Sequence, residues 1–573
     1  MTVVPAVGYT APSLVGAPPR KGCDAPTTLL SMKGRPAIEA ALLGVLLGAL
    51  ALQLAWGIAS DGMTNDEVIY ISAGYRQLAL SDYRLNPTHP PLAQALAGLG
   101  LLGLPLDVPK LASQGVLPWC WQFVHERNCA GCLLWRARLP AALLMLALAG
   151  LLAAWARAVA GPVAGLAAAL LAAFHPSLVA HGHLATIDVP ASAFLVFAAW
   201  AFWRWLRVPG LARALLASCA FGLAASARVT AWTFVPVFLG ALLVALRDRG
   251  RARPLGLATL RLLAVAVIVV PLVLWAAYGF HDTPWPDELL RRPRPAGMTA
   301  RVLDTIDATH VLPTAYLNSM RFQAEHNRGG HPGYLLGARS KTGWWYYQPV
   351  AFLVKNTPGF LLALPVALWA GVRLRRRPDP AVSFSLALAL VALVTASVSR
   401  IQIGERYLLP AYPFLILVIA SATPALLELR RGVLALAALA FLHAIPTLVA
   451  TPGGVLSYFN VLAGGRLGGH RVLVDSNLDW GQDLPRLAAW MRRERVASVQ
   501  LAYQGADDPG RFGIAHEDLP GQYLYPAHPP ARPFEGVVVV SPTLLFELSE
   551  RYAFLRERPP DARAGVFFVY RLP

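Results

Sequence analysis

Charged side chains are scarce in this chain. They make up 14% of 573 residues, against 56% hydrophobic, where an ordinary soluble domain is about a quarter charged. Too little polar surface is available to solvate so long a soluble chain, and the composition indicates an integral membrane protein, with a mean hydropathy of +0.49. Acids are scarcer than bases, 32 against 50, which leaves a net charge of +18. A nucleic-acid binder would gather that excess on one soluble face. Here it is dispersed between apolar runs, which excludes nucleic acid as the partner and points to membrane topology. Nearly all the bases are arginine, which reflects coding bias more than chemistry.

Cysteine is rare as well, five in all, with Cys120, Cys129 and Cys132 close together around His125. A lone Cys-x-x-Cys is too little for a zinc site; in an oxidising compartment a disulfide clip is expected, and the odd thiol leaves its pairing open. The Pro- and Gly-rich residues 1–36, with Arg20, Lys21, Lys33 and Arg35, lack a short apolar core followed by a cleavage site, so they read as an uncleaved cytoplasmic tail. Internal repeats are missing too, and the centres of the apolar runs are almost wholly Ala, Leu and Val. Both features weigh against the rival reading, a multi-pass transporter or flippase for a lipid-linked sugar.

What the chain has in quantity is apolar runs. They lie at about 37–59, 139–156, 163–182, 190–206, 211–227, 230–246, 260–279, 346–372, 381–399, 406–426 and 433–450. Each is close to the roughly 20 residues a helix needs to cross the hydrocarbon, and each is too long for a barrel strand. The expected fold is an all-α multi-pass membrane protein of about eleven transmembrane helices. With the tail inside, the inner turns carry Arg157, then Arg204, Arg207 and Arg213, then Arg247, Arg249, Arg251 and Arg253. Arg373, Arg375, Arg376 and Arg377 follow, and finally Arg430 and Arg431. The opposite connections, 60–138, 183–189, 280–345 and 400–405, are long or nearly neutral, as the positive-inside rule requires.

This topology divides the chain into a cytoplasmic tail (1–36), a membrane catalytic domain (37–450) and an extracytoplasmic C-terminal domain (451–573). The last is expected to be small and α/β. A strand-like run at 471–475 precedes a turn-rich segment and a helical pattern near 484–495, and further strands are expected at 498–503, 536–541 and 565–571. Asp475, Asn477 and Asp479 imitate a calcium loop, but Trp480 stands where glycine is needed and Arg486 where the bidentate acid is needed, which rejects that reading. His326, His331 and Glu325 match no ligand spacing. In the first outer loop, 68–80 and 93–106 read as helices lying in the interface, and Gly343-Trp-Trp-Tyr-Tyr347 as an aromatic belt.

The stretch Thr64–Ala93 directly follows the first apolar run and carries Asp66, Glu67 and a stiff His89-Pro90-Pro91-Leu92 corner. A carboxylate there stands where lipid meets water. By position alone both acids could simply solvate a helix end. Further motifs follow in order: Ala137-Arg-Leu-Pro140, Ala185-Thr-Ile-Asp188-Val-Pro, Gly343-Trp-Trp-Tyr-Tyr-Gln-Pro349 with Lys355, and Glu405-Arg406-Tyr407-Leu-Leu-Pro410. Over roughly 37–430 this series resembles the protein O-mannosyltransferases. More broadly it resembles the polyprenyl-phosphate-sugar-dependent glycosyltransferases of the GT-C fold, aminoarabinose transferases of lipid A among them. The chain lacks the large lectin-like loop domain of the mannosyltransferases, which counts against a protein acceptor beside lipid and glycan ones.

The resemblance implies a bacterial inner-membrane enzyme with its active site and C-terminus on the periplasmic side. It also implies an inverting transfer of sugar from a polyprenyl-phosphate donor to an acceptor hydroxyl or phosphate. The base role falls on Asp66, with Glu67 beside it assisting or holding the loop. Asp188 is the second acid, orienting the acceptor or, with Asp66, a divalent metal ion; a plain helix-start role before Pro190 is the alternative. Arg228, Lys355 and Arg406 are candidates for the carrier phosphate, since ionisable groups near a span are costly without a partner or a function, and Tyr407 goes with Arg406. Snorkelling to lipid headgroups is the plainer account of each cation. His89 is either a substrate contact or a corner former.

Overall fold

The computed structural model describes residues 36–110, 115–247, 252–282, 285, 297–373, 379–520 and 533–573. The expected N-terminal tail and the turn residues Arg249, Arg251, Arg375, Arg376 and Arg377 lie outside these. Every apolar run read from the sequence is helical, and the chain is an integral membrane protein built as a helical bundle. Among the described residues, seven helices are long and apolar enough to span, Pro36–Ser60, Ala130–Ala160 and Asp188–Arg207 among them; the number rises to nine if two bent pairs each count as one span. Eleven is reached only by adding the shorter helices Leu211–Ala227 and Ala411–Leu427.

The bent pairs correct two expectations of continuous spans. Pro162–Ala173 and Pro176–Gly182 meet at 63°, and Tyr347–Lys355 and Pro358–Arg373 at 110°. In each case a proline, which has no N–H to donate, opens the second helix. At the sharper break Thr357 Oγ1 takes the Phe360 N–H (3.2 Å), replacing a bond the turn has lost. Lys355 therefore ends a short helix and does not sit early in a span.

Ion pairs fix which helix ends lie together. Arg157 bonds Glu39 (2.6 Å), joining the end of Ala130–Ala160 to the start of Pro36–Ser60, and Arg207 bonds Asp379 (2.8 Å), joining the end of Asp188–Arg207 to the start of Pro380–Val398. Asp66, Asp188 and Arg406 gather at the other end. There the helices Glu67–Leu80 and Pro91–Leu99 pack backbone against backbone, with Gly74 against the Gln94 carbonyl and Gly98 against Gly74; a Cβ at either glycine would collide. Gly100 rests on the Arg136 carbonyl in the same way, which seats this pair on the helix Ala130–Ala160. The second helix ends at Leu99, short of the expected 106. Cys129 and Cys132 form a disulfide, which leaves Cys120 buried and unbonded to sulfur.

The C-terminal region carries a mixed five-stranded sheet in the spatial order His516–Asp518, Val499–Ala502, Gly536–Val540, Phe567–Leu572, Ala562–Ala564. The first three strands are parallel and the last two join antiparallel. Side chains alternate along each strand. Phe567, Val569 and Val539 face the helix Leu484–Glu494 through Leu487, Trp490 and Met491, while Phe568, Tyr570, Val538 and Val540 pack on Leu544, Leu545 and Leu555. The expected strand at 471–475 is absent. Residues Gly469–Arg471 and Asp475–Asn477 are 3₁₀ turns, and Asp475 has φ of 55°, a left-handed conformation that cannot continue a strand.

Candidate active site

Asp66 is the residue just before the helix Glu67–Leu80, and the chain ahead of it folds back onto the first helical side chain. The Thr64 N–H and hydroxyl both donate to Glu67 Oε2 (2.9 and 3.1 Å). Glu67 then accepts from Arg138 at both oxygens (2.8 and 2.7 Å) and from the Ala185 N–H (2.8 Å), and is fully buried. Burial opposes its ionisation, but the Arg138 guanidinium and these N–H donors overcome that and hold its carboxyl below the usual range. Arg138 also donates to the Asp61 and Gly62 carbonyls (2.8 and 2.7 Å). Glu67 therefore locks the loop 61–67 to its neighbours. Of the two roles expected for it, assisting the base or holding the loop, these bonds fit the second, since both oxygens are taken and the side chain is sealed from solvent.

Asp66 points elsewhere. Its Oδ2 accepts from Arg406 Nη1 at 2.7 Å, and the same nitrogen lies 3.7 Å from Asp188 Oδ2. Asp188 opens the helix Asp188–Arg207, and its Oδ1 accepts from Arg228 Nη1 at 2.7 Å. The Asp188 side chain is 1% exposed and Arg406 9%, whereas Asp66 is 28% exposed. Of the two carboxylates, only Asp66 is open to an incoming molecule. Tyr407 lies beneath both cations, its ring centroid 5.2 Å from the Arg228 guanidinium carbon and 5.8 Å from that of Arg406. Asp188 Oδ2 and Arg406 Nε are buried without a hydrogen-bond partner among the described residues, which leaves one acceptor and one donor unused.

His89 reaches the same cluster. It lies edge-on to Tyr70 at 6.1 Å. Burial, then the nearby Arg228 and Arg406 charges, push its pKa down to about 3, so the ring is neutral at working pH. Lys355 does not reach the cluster. Its ammonium donates to the Leu456 and Asn477 carbonyls (2.9 and 2.6 Å) beside the Phe459 ring, which corrects the expectation that it faces a phosphate. Six of the expected residues thus converge (Asp66, Asp188, Arg228, Arg406, Tyr407 and His89), while Glu67 and Lys355 brace the surroundings.

A divalent metal ion does not fit the arrangement. The two carboxylates nominated as its ligands share one guanidinium nitrogen where a cation would have to sit, and Arg228 takes the remaining near oxygen. Among the described residues no group of three or more His, Cys, Asp or Glu is arranged to hold a metal.

Residues 116–275 match the family described as dolichyl-phosphate-mannose-protein mannosyltransferase. No curated protein sequence matches the chain. In structure the chain is similar to ArnT from Cupriavidus metallidurans bound to undecaprenyl phosphate, at 14% identity and a TM-score of 0.47, over 94% of this chain and 98% of that one. It is also similar to the oligosaccharyltransferase AglB from Archaeoglobus fulgidus in complex with an inhibitory peptide and a dolichol-phosphate. There the identity is 12% and the TM-score 0.46, over 86% of this chain and 61% of that one.

Proposed function

We propose that this protein is a glycosyltransferase of the GT-C type that moves a sugar from a polyprenyl-phosphate carrier to an acceptor hydroxyl or phosphate, with inversion at the anomeric carbon. One observation carries the reading: an accessible carboxylate, Asp66, stands beside a buried arginine, Arg406, with the mostly buried Arg228 close by, at one end of an apolar helix bundle. The acceptor oxygen forms a bond to the anomeric carbon while its proton passes to Asp66. The bond from that carbon to the phosphate oxygen breaks, and its electron pair stays on the phosphate. Arg406 and Arg228 meet the resulting charge; a guanidinium offers phosphate a planar fork of donors. Asp188 holds both arginines and so sets their separation. His89, being neutral, contributes a hydrogen bond and not a charge. The match of residues 116–275 to a sugar-transferring family supports transfer over transport. The arginine-rich turns at the opposite end support a periplasmic site in a bacterial inner membrane.

The test is turnover of a panel of labelled polyprenyl-phosphate sugars by the full chain in nanodiscs and in right-side-out vesicles. Asp66→Asn is expected to bind undecaprenyl phosphate as the parent does and to lose about 10²–10⁴-fold in transfer, the range for a positioned general base. Arg406→Ala is expected to weaken carrier binding sharply but measurably, and Arg406→Lys to recover part of it. Transfer by Asp66→Asn at the parent rate sinks the base assignment. A parent that never breaks the sugar–phosphate bond, yet moves lipid-linked sugar across the vesicle membrane, is a transporter.

A further inference from the structure

The segment Ser476–Gln482 supplies no group to the reaction above and lies far beyond the matched residues 116–275. It nevertheless touches both stretches of chain that present the Asp66–Arg406 pair. On the arginine side, the Glu405 N–H donates to Asn477 Oδ1 (2.8 Å) and the Ser476 hydroxyl donates to the Ile403 carbonyl. Gly404 presses so closely on Ser476 Oγ that any side chain there would collide with it. On the aspartate side, the Asn65 N–H donates to the Trp480 carbonyl (2.9 Å) and the Gly62 N–H to the Gln482 carbonyl (2.8 Å). Between the two, the Trp480 ring, itself 3% exposed, lies 4.3 Å from the Arg406 guanidinium carbon. His181 packs against the same ring at 5.9 Å.

The segment is itself held rigidly. The Trp480 N–H donates to Gln482 Oε1 (2.8 Å), Gln482 Nε2 donates to the Leu478 carbonyl (3.0 Å), and Asn477 Nδ2 donates to the Val474 carbonyl (2.9 Å). The Lys355 ammonium fixes the Asn477 carbonyl. A long arginine side chain has many rotamers, and ordering them costs free energy. An indole face beneath the guanidinium removes that freedom in advance and attracts the charge.

We propose that Ser476–Gln482 is a positioning element of the reaction centre. It holds the chain segments of Asp66 and Arg406 at a fixed separation, and the Trp480 ring sets the plane in which the Arg406 guanidinium meets the carrier phosphate. The proposal rests on the carrier-phosphate reading of Arg406.

The experiment uses the full chain in nanodiscs, with undecaprenyl phosphate as the probe and melting temperature as the check on folding. Trp480→Leu keeps most of the volume but removes the aromatic face, and is expected to weaken binding about tenfold. Trp480→Phe restores an aromatic face and is expected to lose no more than about threefold. The decisive comparison is a double-mutant cycle: in an Arg406→Ala background, Trp480→Leu is expected to have no further effect, because the ring acts through that guanidinium. Equal losses in both backgrounds, or no loss in the parent, overturn the proposal while leaving the phosphate reading intact. If Arg406→Ala binds the probe as the parent does, the phosphate reading falls and this proposal with it. Should Trp480→Leu fail to fold, Asn477→Ala enters the same cycle, and the same lack of coupling overturns the proposal.

Discussion

Neighbouring acids on one helix start carry opposite burdens. Asp66 is accessible and paired with a single guanidinium nitrogen, while Glu67 is sealed from solvent with donors on both oxygens. Neutralising each should therefore be read by a different instrument. Glu67→Gln leaves the Arg138 charge buried without its counter-ion, a loss on the order of 3–5 kcal/mol. Asp66→Asn disturbs a partly exposed pair and should cost at most about 1 kcal/mol. Thermal unfolding in detergent should show a clearly lowered melting temperature for Glu67→Gln and almost no change for Asp66→Asn. Parent-like melting of Glu67→Gln would remove its positioning role.

At the scale of helices and strands, the apolar runs were legible because lipid leaves a chain few choices, and each of them forms a helix. The two breaks were not legible from proline alone. Pro140, Pro271, Pro365 and Pro446 all lie inside unbroken helices, whereas Pro176 and Pro358 begin new ones. At Pro358 the preceding Thr357 bonds His443 and the Phe360 N–H, which is a tertiary matter. The strand read at Val472-Leu-Val474 was overridden for a similar reason, since β-propensity mostly measures packing context. The same division runs through the site. The cost of placing charge near lipid singled out Arg228 and Arg406, and it singled out Lys355 just as strongly, yet backbone carbonyls meet that cost for Lys355. The role of Glu67 was not legible locally either, because the Arg138 guanidinium and the Ala185 N–H that occupy its carboxylate are brought to it only by the fold. Nothing local marked Trp480, because its partner Arg406 is brought to it only by the fold.

For the molecule as a whole, the C-terminal region is tied to the bundle by a buried charge relay. Asp483 pairs with Arg466 (2.9 Å) and Arg486 (2.6 Å), Arg486 reaches Asp61 (2.7 Å), and Asp61 contacts His183 (3.0 Å). Asp479 sits beside this relay with Oδ2 unpartnered, and burial raises its pKa from 3.8 to about 7. The folded chain thus keeps a proton that the unfolded chain loses above about pH 4. Stability falls as pH rises from there to about 7 and then levels off. Asp479→Asn removes that dependence. Its melting temperature should match the parent near pH 4 and exceed it at pH 8, by an energy of roughly 4 kcal/mol at about 1.36 kcal/mol per pKa unit. Parallel melting curves for the two proteins across this range would contradict it.

The single Arg406 nitrogen that touches Asp66 also imposes a sequence of events on turnover. While that nitrogen holds the carboxylate, Asp66 is poorly placed to take a proton from an acceptor. On the proposed role of Arg406, a carrier phosphate competes for the guanidinium, and its arrival frees the carboxylate. The lipid-linked substrate should therefore bind first and the acceptor second, a compulsory order. Steady-state inhibition distinguishes this from random addition: undecaprenyl phosphate should compete with the donor, and an acceptor analogue that cannot react should be uncompetitive against it. Arg406→Lys, with a shorter and rounder charge, should relax the order and turn the second pattern noncompetitive.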